Sequence, residues 1–506
     1  MAHEPMTLCE YDVAVVGLGP VGGILANLLG QQGIHTLVLD RSTEAPQLPR
    51  GVGIDAEIMR VVQALGLADQ LLPLLKVFGG TQYLDVDGNV VSSRPGITGP
   101  GPQGWPARYN VHQPDLENVL RAGLTAHPGL DLRLGYEVDA VRTLPDGGAE
   151  VSATGPDGGS MAATARYVVG CDGARSVVRK AAGLRLDDFG LNEPWIVVDF
   201  EVDESADLPG INTHYADPVQ PVIYIHVVRN LRRFEFRTRP GEDLEKAIEP
   251  DQVWQRVSRW LTPDQARLVR AAVYTHRSLV ADDWRAGPLI VAGDAAHQTP
   301  PFLGQGLCAG VRDAASLAWR LGAVVHHGAA DALVDSYESE RNAHARFIIQ
   351  TATSIGTVLT APEKSKLDAL NARIGREGRG RPPRLGPGLW QADGPGDVGG
   401  MLAPQPRLAD GRLLDDAVGF GFAVVARSDV LAHLALDLRA DLKEAGIALV
   451  PATGEAADWL TELGAAAAVV RPDRYYYGTY AEVGALAAAL RDLLPAITPD
   501  TLAVAR

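Results

Sequence analysis

Cysteine is scarce in this 506-residue chain: Cys9, Cys171 and Cys308 are the full set. No two lie close in sequence, so there is no C-x-x-C pair and no zinc-type spacing, and no metal is expected. Such sparse cysteine use fits a reduced compartment, the cytoplasm. Runs of lysine or arginine are also absent, and the net charge is −16. Nucleic acid and anionic membranes are therefore not expected as main partners. The N-terminal MAHEPMTLCEYD has no basic region of the signal-peptide kind. The longest apolar stretch, from Val13 onward, is interrupted by Gly, Pro, Asn and Gln, and does not read as a membrane span.

What is present is ordinary globular material, 46% hydrophobic and 21% charged, with length enough for two to four domains. The clearest segment is 11–40. YDVAVV is a short valine-rich run, hence a buried strand. ILANLLGQQ is helical, with Ile24, Leu25, Leu28 and Leu29 on one side and Gly33 suited to end it. TLVLD is a second strand, ending at Asp40. Between the first strand and the helix stand Gly17, Gly19, Pro20 and Gly22 in the pattern G-x-G-x-x-G. The first glycine permits a tight turn, the second lets backbone approach a pyrophosphate, and the third allows close helix–strand packing. A phosphate would then sit on free N–H groups at the helix start. Asp40, roughly 20 residues on, stands where a ribose-binding acid belongs. GPGDVG at 394–399 matches the same pattern, but no strand precedes it and no helix follows. One dinucleotide loop is expected.

Further along, 53–75 and 113–126 read as helical, and RYVVGCDG at 166–173 as a strand entering a glycine turn. Over 195–240 the period falls to two: WIVVDFEV, PVIYIHVV and RRFEFRTR suggest an inserted antiparallel sheet, with RNL turning between the last two. GPLIVA at 287–292 returns to a buried strand. GDAAHQTPPFLGQG follows, and helices are expected from Gly306 and over 331–358. Residues 376–411, rich in Gly, Pro and Arg, read as a linker. FAVVAR, GIALVPA and AAAVVRPD then suggest a small C-terminal α/β unit. No internal repeat is found.

The glycine loop near the start, Asp172–Gly173 in the middle, and Asp294 followed by a Pro/Gly loop together resemble the FAD-dependent aromatic hydroxylases of the p-hydroxybenzoate hydroxylase type. The resemblance spans about residues 10–360 and takes in RGVGID, HQPDLE and YESER. It is closest to 3-(3-hydroxyphenyl)propionate hydroxylases, through RGVGIDAEIMRVVQALGL, WIVVDFEV, RRFEFRTRPGE and GDAAHQTPPFLGQG. One departure is Cys308, where many relatives carry asparagine. The resemblance implies an α/β fold with a Rossmann-like FAD-binding domain (1–190 and 275–375), an antiparallel-sheet substrate domain (191–274) and a thioredoxin-like C-terminal domain (412–506). That last unit has no cysteine, which excludes a redox role for it.

The same resemblance implies NADH or NADPH as transient reductant and O2 as co-substrate. A flavin C4a-hydroperoxide would hydroxylate a phenolic ring ortho to its hydroxyl, 3-(3-hydroxyphenyl)propionate or a similar phenolic acid. It allows a homodimer. Gly17, Gly19, Pro20 and Gly22 would cradle the pyrophosphate, with Asp40 and Arg41 beside the ribose. Arg50 and Gln113 would flank the cofactor, Asp172 and Gly173 would lie near its adenine side, and Asp294 near its ribityl or ribose region. Pro301, Gly304, Gly306 and Leu307 would face the isoalloxazine. For the substrate pocket the candidates are Tyr224 and His226 on one strand face, Arg233 as a carboxylate clamp, Asp55 and His297. A solvated sheet face is the competing reading of Arg233, and a loop or core histidine that of His297. An aromatic polyketide hydroxylase shares these motifs. A non-catalytic flavin-fold binding protein is the alternative of another class. A disulfide reductase would need a cysteine pair, which this chain lacks.

Overall fold

The computed structural model describes residues 10–47, 50–145, 147–217, 219–359 and 383–498. Cys9 and the first part of the expected linker, 376–382, lie outside them. Strand Tyr11–Val16 lies at the centre of a mixed eight-stranded sheet. Val13 to Val16 are buried, as a strand covered on both faces requires. Five parallel strands lie side by side in the order Leu289–Val291, Ser160–Gly170, Tyr11–Val16, Thr36–Asp40, Leu130–Leu134. Val291 stands beside Gly170, Gly170 beside Val16, and Val16 beside Leu39. All these strands end at the same edge. Segments far apart in sequence, after Val16, Asp40, Gly170 and Val291, therefore leave the sheet in a row, about 5 Å apart per strand.

Helix Pro20–Gln31 and helix Gly306–His326 pack against each other beside this edge. The crossing is close because glycine allows it. A Cβ on Gly293 would come within 2.8 Å of the Val21 side chain, and one on Gly310 within 2.5 Å.

A second eight-stranded sheet contains Leu186–Val202, Leu231–Arg237, Val222–His226 and Ala266–Ala281. It also takes strands Gly80–Leu84 and Val90–Pro95, which carry no strong alternation and were not expected. One face packs Ile196, Val198, Phe200, Tyr224, Phe234 and Phe236 over helix Pro250–Val257. The expected helix 53–75 is broken. Gly53–Asp55 is a strand, Ala56–Ala64 a helix capped by the Asp55 carboxylate, and Ala68–Leu71 a single turn. Pairing of Gly53–Asp55 with Arg108–Asn110 overrides the local helical pattern.

The C-terminal sheet has the order Ala448–Pro451, Ala423–Ala426, Ala467–Val470, Tyr476–Tyr480. Residues 383–411, expected as linker, are packed against neighbouring segments. Leu385 and Ala403 are buried, and the Gly386 and Gln405 N–H groups donate to Glu340 O (3.0 Å) and Pro102 O (2.8 Å). A segment without periodicity can still be ordered when its backbone groups find tertiary partners. The 394–399 glycines sit in such packing, with only a 3-10 turn at Pro395–Asp397.

Buried charges latch the C-terminal unit to the helices. Arg471 donates to Glu340 at 2.8 and 2.7 Å and to Asp473 at 3.0 and 2.6 Å, and Arg320 donates to Glu340 at 2.6 Å. Arg60 forks onto Asp415 at 2.7 and 2.9 Å, with Arg474 3.3 Å from the same carboxylate. Burial would raise the pKa of Glu340, but the Arg320 and Arg471 guanidiniums outweigh it and hold the carboxyl below its usual range. Removing one member strands a buried charge. Glu340→Ala is expected to cost about 3–5 kcal/mol, read as a lowered midpoint in urea unfolding followed by tryptophan fluorescence.

Candidate active site

The row of strand-end segments gathers the three sequence motifs. At the first, Gly17 has φ +98°, and a Cβ there would lie 2.6 Å from Cys171 O and 2.9 Å from Asp172 Cα. The first and second motifs are thus in contact. A Cβ on Gly22 would lie 1.9 Å from Gly17 O, so the helix starts hard against the turn. Gly19 is different: a Cβ there would meet nothing within 4 Å. Its backbone faces open space at the helix start, with half-buried Pro20 at N1. Asp40 accepts from Leu18 N–H (2.6 Å) and Ser42 N–H (2.7 Å), which orients its carboxylate at the adjacent strand end. Arg41 is exposed beside it.

At the second motif, Asp172 Oδ2 accepts from Val177 N–H at 2.6 Å, while its buried Oδ1 has no hydrogen-bond partner among the described residues. A Cβ on Gly173 would also meet nothing within 4 Å. At the third, Asp294 is exposed, yet protein crowds its carboxyl group. The crowding raises its carboxyl pKa, while His297 and Arg50 pull the other way. Residues 301–307 are all half-buried, one side of the loop being open. Gly304 is left-handed against Arg108, which donates to Leu303 O at 3.2 Å. The Leu307 side chain closes on Gly51. The open glycine at a helix start, the unpartnered carboxylate oxygen and the open loop fit a long dinucleotide such as FAD.

Arg50 and Gln113 are also at this edge, by a route the sequence hid. Gln113 Oε1 accepts from Arg50 N–H (3.1 Å) and Gly51 N–H (2.7 Å), and its amide donates to Glu117 (2.7 Å). Gln113 therefore braces the 50–51 segment. Cys308 is fully buried with its thiol 3.8 Å from Gly53 O, and burial pushes its pKa up. It packs behind the loop instead of facing the open side.

Several substrate-pocket candidates are corrected. His297 is 1% exposed, 2.7 Å from Asp313, which also accepts from Arg341 (3.0 Å) and Gly293 N–H (3.1 Å). It is a core histidine that ties the loop to two helices. Tyr224 is 0% exposed and donates to Pro209 O at 3.0 Å within the apolar layer on the far face of the second sheet. Strand Val222–His226 alternates as expected, but the face it turns to the loop carries Ile223 and Ile225 instead of Tyr224. His226 lies 3.2 Å from Lys76 Nζ, and burial with Arg232 and Lys76 lowers its pKa to about 4.

Arg233 is buried, forked onto Asp199 at 2.7 and 3.2 Å and donating to Arg50 O at 3.0 Å. It is neither a solvated surface arginine nor an open carboxylate clamp. The face that does meet the loop carries Trp195, Ile223, Ile225 and Val227, with Val52 and Phe302 packed on it. His276 stacks on Trp195 (5.4 Å) and meets the edge of Phe302 (6.2 Å), and burial lowers its pKa to about 4. Sequence reasoning missed these residues, although the alternation of WIVVDFEV and PVIYIHVV contained Trp195, Ile223, Ile225 and Val227; Val52, His276 and Phe302 come from other segments.

Behind the loop lies a second polar group. Asp55 accepts from Ile58 N–H (3.2 Å), Arg312 (2.5 Å) and Gln305 (3.2 Å), and Glu57 accepts from Arg312 (2.5 Å). A cavity of about 260 Å³ adjoins them, lined also by Leu303, His344, Phe347, Ile348 and Tyr475. Asp55 thus faces a cavity, but one on the rear of the loop. Among the described residues no cluster could hold a metal ion and no helix is long and apolar enough to cross a membrane.

A parallel sheet with phosphate-type loops at its carboxyl edge, an open proline–glycine loop and an apolar sheet face opposite define a flavin-dependent aromatic hydroxylase. The FAD binding domain family matches residues 10–352, and the chain belongs to it. Over 96% of its length it is 36% identical to a probable NADH-specific resorcinol 4-hydroxylase of Rhodococcus jostii, covering 95% of that protein. Over 83% it is 37% identical to a 3-(3-hydroxy-phenyl)propionate/3-hydroxycinnamic acid hydroxylase of Mycolicibacterium gilvum, covering 76% of that one. Among solved structures, aklavinone-11 hydroxylase with FAD and aklavinone matches 97% of this chain and 100% of its own, with TM-score 0.83 and 24% identity, a likeness of fold. The chain is a flavoprotein monooxygenase that uses FAD.

The open space at Gly19 makes a specific expectation. Gly19→Ala should fold with unchanged circular dichroism, because its methyl meets no atom of the protein. It should weaken FAD binding about tenfold or more, since backbone can no longer approach the pyrophosphate. Titration with FAD, followed by flavin fluorescence, reads the difference.

Proposed function

We propose that this enzyme hydroxylates a small phenol without a carboxylate, of the resorcinol kind, using NADH and O2. The observation that carries this reading is the state of Arg233. A phenolic acid needs a cation free to fork onto its carboxylate. On the sheet face opposite the loop, Arg233 is already forked onto Asp199, and Arg270 is 3.4 Å from the same carboxylate. Glu235 is buried 3.7 Å from Arg233 on the same face, and the patch around Trp195, Ile223 and Ile225 is apolar and aromatic, suited to an uncharged ring. The name of the Rhodococcus relative, which spans nearly the whole chain, points the same way.

When bound, FAD supplies the redox chemistry: it takes electrons from NADH and activates O2, so that one oxygen atom enters the ring and the other leaves as water. The chain's own residues place and shield. In this reading the backbone at Gly17, Gly19, Pro20 and Gly22 receives the pyrophosphate, and Asp40 with Arg41 the ribose. Asp172, Gly173 and Asp294 line the cleft between. Arg50, steadied by Gln113, lies beside Asp294. Pro301, Gly304, Gly306 and Leu307 present backbone to the flavin ring. Trp195, Ile223, Ile225, Val52 and Phe302 form a dry wall for the phenol, which keeps water from diverting the activated oxygen to hydrogen peroxide.

The same reading divides the chain into a discontinuous FAD-binding unit, an inserted substrate unit and a thioredoxin-like C-terminal unit. It places the enzyme in the cytoplasm, in keeping with free Cys171 and Cys308.

The test follows NADH oxidation and product mass under ¹⁸O₂. Resorcinol should stimulate oxidation and yield a benzenetriol with one labelled oxygen. Its kcat/KM should exceed that of 3-(3-hydroxyphenyl)propionate by about a hundredfold, the loss expected when a carboxylate is desolvated without a partner. Preference for the phenylpropionate, or for a polycyclic quinone, would overturn the proposed substrate class.

A further inference from the structure

The turn between strands Ala467–Val470 and Tyr476–Tyr480 is built almost wholly of polar side chains, yet Arg471, Asp473, Arg474 and Tyr475 are 0%, 4%, 2% and 3% exposed. They are inserted among the helices of the first sheet. The ion pairs of Arg471 and Arg474 account for the docking of this turn. Tyr475 does something else: it lines the rear cavity together with Glu57, Arg312 and Gln305, with Glu57 as its neighbour.

From Glu57 a continuous relay leads to the loop. Arg312 Nε donates to Glu57 (2.5 Å), its Nη1 donates to Gln305 Oε1 (2.9 Å), and Gln305 Nε2 donates to Asp55 (3.2 Å). Gln305 is the residue between Gly304 and Gly306. The cavity of about 260 Å³ lies against Leu303 and Gln305, so among the described residues close packing does not brace the loop on this side. Its position there depends on the relay. Burial and the neighbouring Glu57 push the Tyr475 pKa well up, which keeps the hydroxyl protonated beside that carboxylate.

We propose that Tyr475, delivered by the C-terminal unit, is a positioning residue that sets the flavin-side loop through Glu57, Arg312 and Gln305. This rests on the reading above that the loop carries the flavin ring. The C-terminal unit is then part of the active site, acting from behind. Losing the hydroxyl lets Glu57 and Arg312 reorient and Gln305 shift with them. The loop then holds FAD less well and seals the phenol site less tightly.

The experiment compares wild type, Tyr475→Phe and Tyr480→Phe, all as full-length chains. Tyr480 donates to Gln391 (2.9 Å) within the C-terminal unit, away from the loop, and controls for loss of a buried hydroxyl. Tyr475→Phe should bind FAD about tenfold more weakly. With substrate saturating, it should release more hydrogen peroxide per NADH. Tyr480→Phe should match wild type in both. Equal FAD affinity and peroxide yield in Tyr475→Phe and wild type would overturn the role. Equal losses in both variants would also overturn it, by showing a general effect of the hydroxyl. A wild-type chain that binds no FAD would instead overturn the functional reading itself.

Discussion

Everything at the candidate site depends on one close contact, the Val21 side chain lodged between Gly293 and Gly310. It brings the helix after the first glycine loop against the helix after the last loop, at a separation that a methyl group at either glycine would prevent. Five parallel strands in non-sequential order then align four segments that lie far apart in the chain. Such a sheet binds its ligand at the carboxyl edge because the loops leaving the strands run into helix N-termini, whose first N–H groups are free. The cofactor of a flavoprotein hydroxylase needs a long, continuous version of that edge, and this contact provides it.

The second sheet divides its chemistry by face. One face is apolar and packs on its own helix. The other combines a hydrophobic patch with a buried ion group in which Asp199 is shared by Arg233 and Arg270. Two guanidiniums are costly to bury, and the carboxylate between them offsets that cost while removing both as free ligands. The same pairing that stabilises the sheet is the one on which the proposed substrate class rests.

The C-terminal unit joins the core of the molecule by apolar contact, as where Phe422 meets Trp319, and by buried charge. Its buried turn meets several helices, and Glu340, Asp415 and Asp473 each serve more than one cationic or donor partner. A fully satisfied buried network specifies one geometry, since any shift leaves a charge unpaired. That property suits a unit whose task is to support a loop from behind.

Much of this protein was legible in its residues. Gly17, Gly19 and Gly22 after a valine run determine a phosphate-type turn by local sterics, and period-two alternation marks the strands of the second sheet. The proline–glycine loop after Asp294 is likewise recognisable, because each of these features acts over a few neighbouring positions. Other features needed partners distant in the chain. Which phase of the alternation met the loop decided between Tyr224 and Trp195, and periodicity is blind to phase. Burial beside Asp313 turned His297 from candidate base into core residue, and pairing with Asp199 closed Arg233 to a carboxylate. The packing of residues 383–411 and the reach of Tyr475 to Glu57 carry no local signature. Local sterics and periodicity are written in the sequence itself. Burial, pairing and facing are properties of what the fold brings together, and only the tertiary structure decided them.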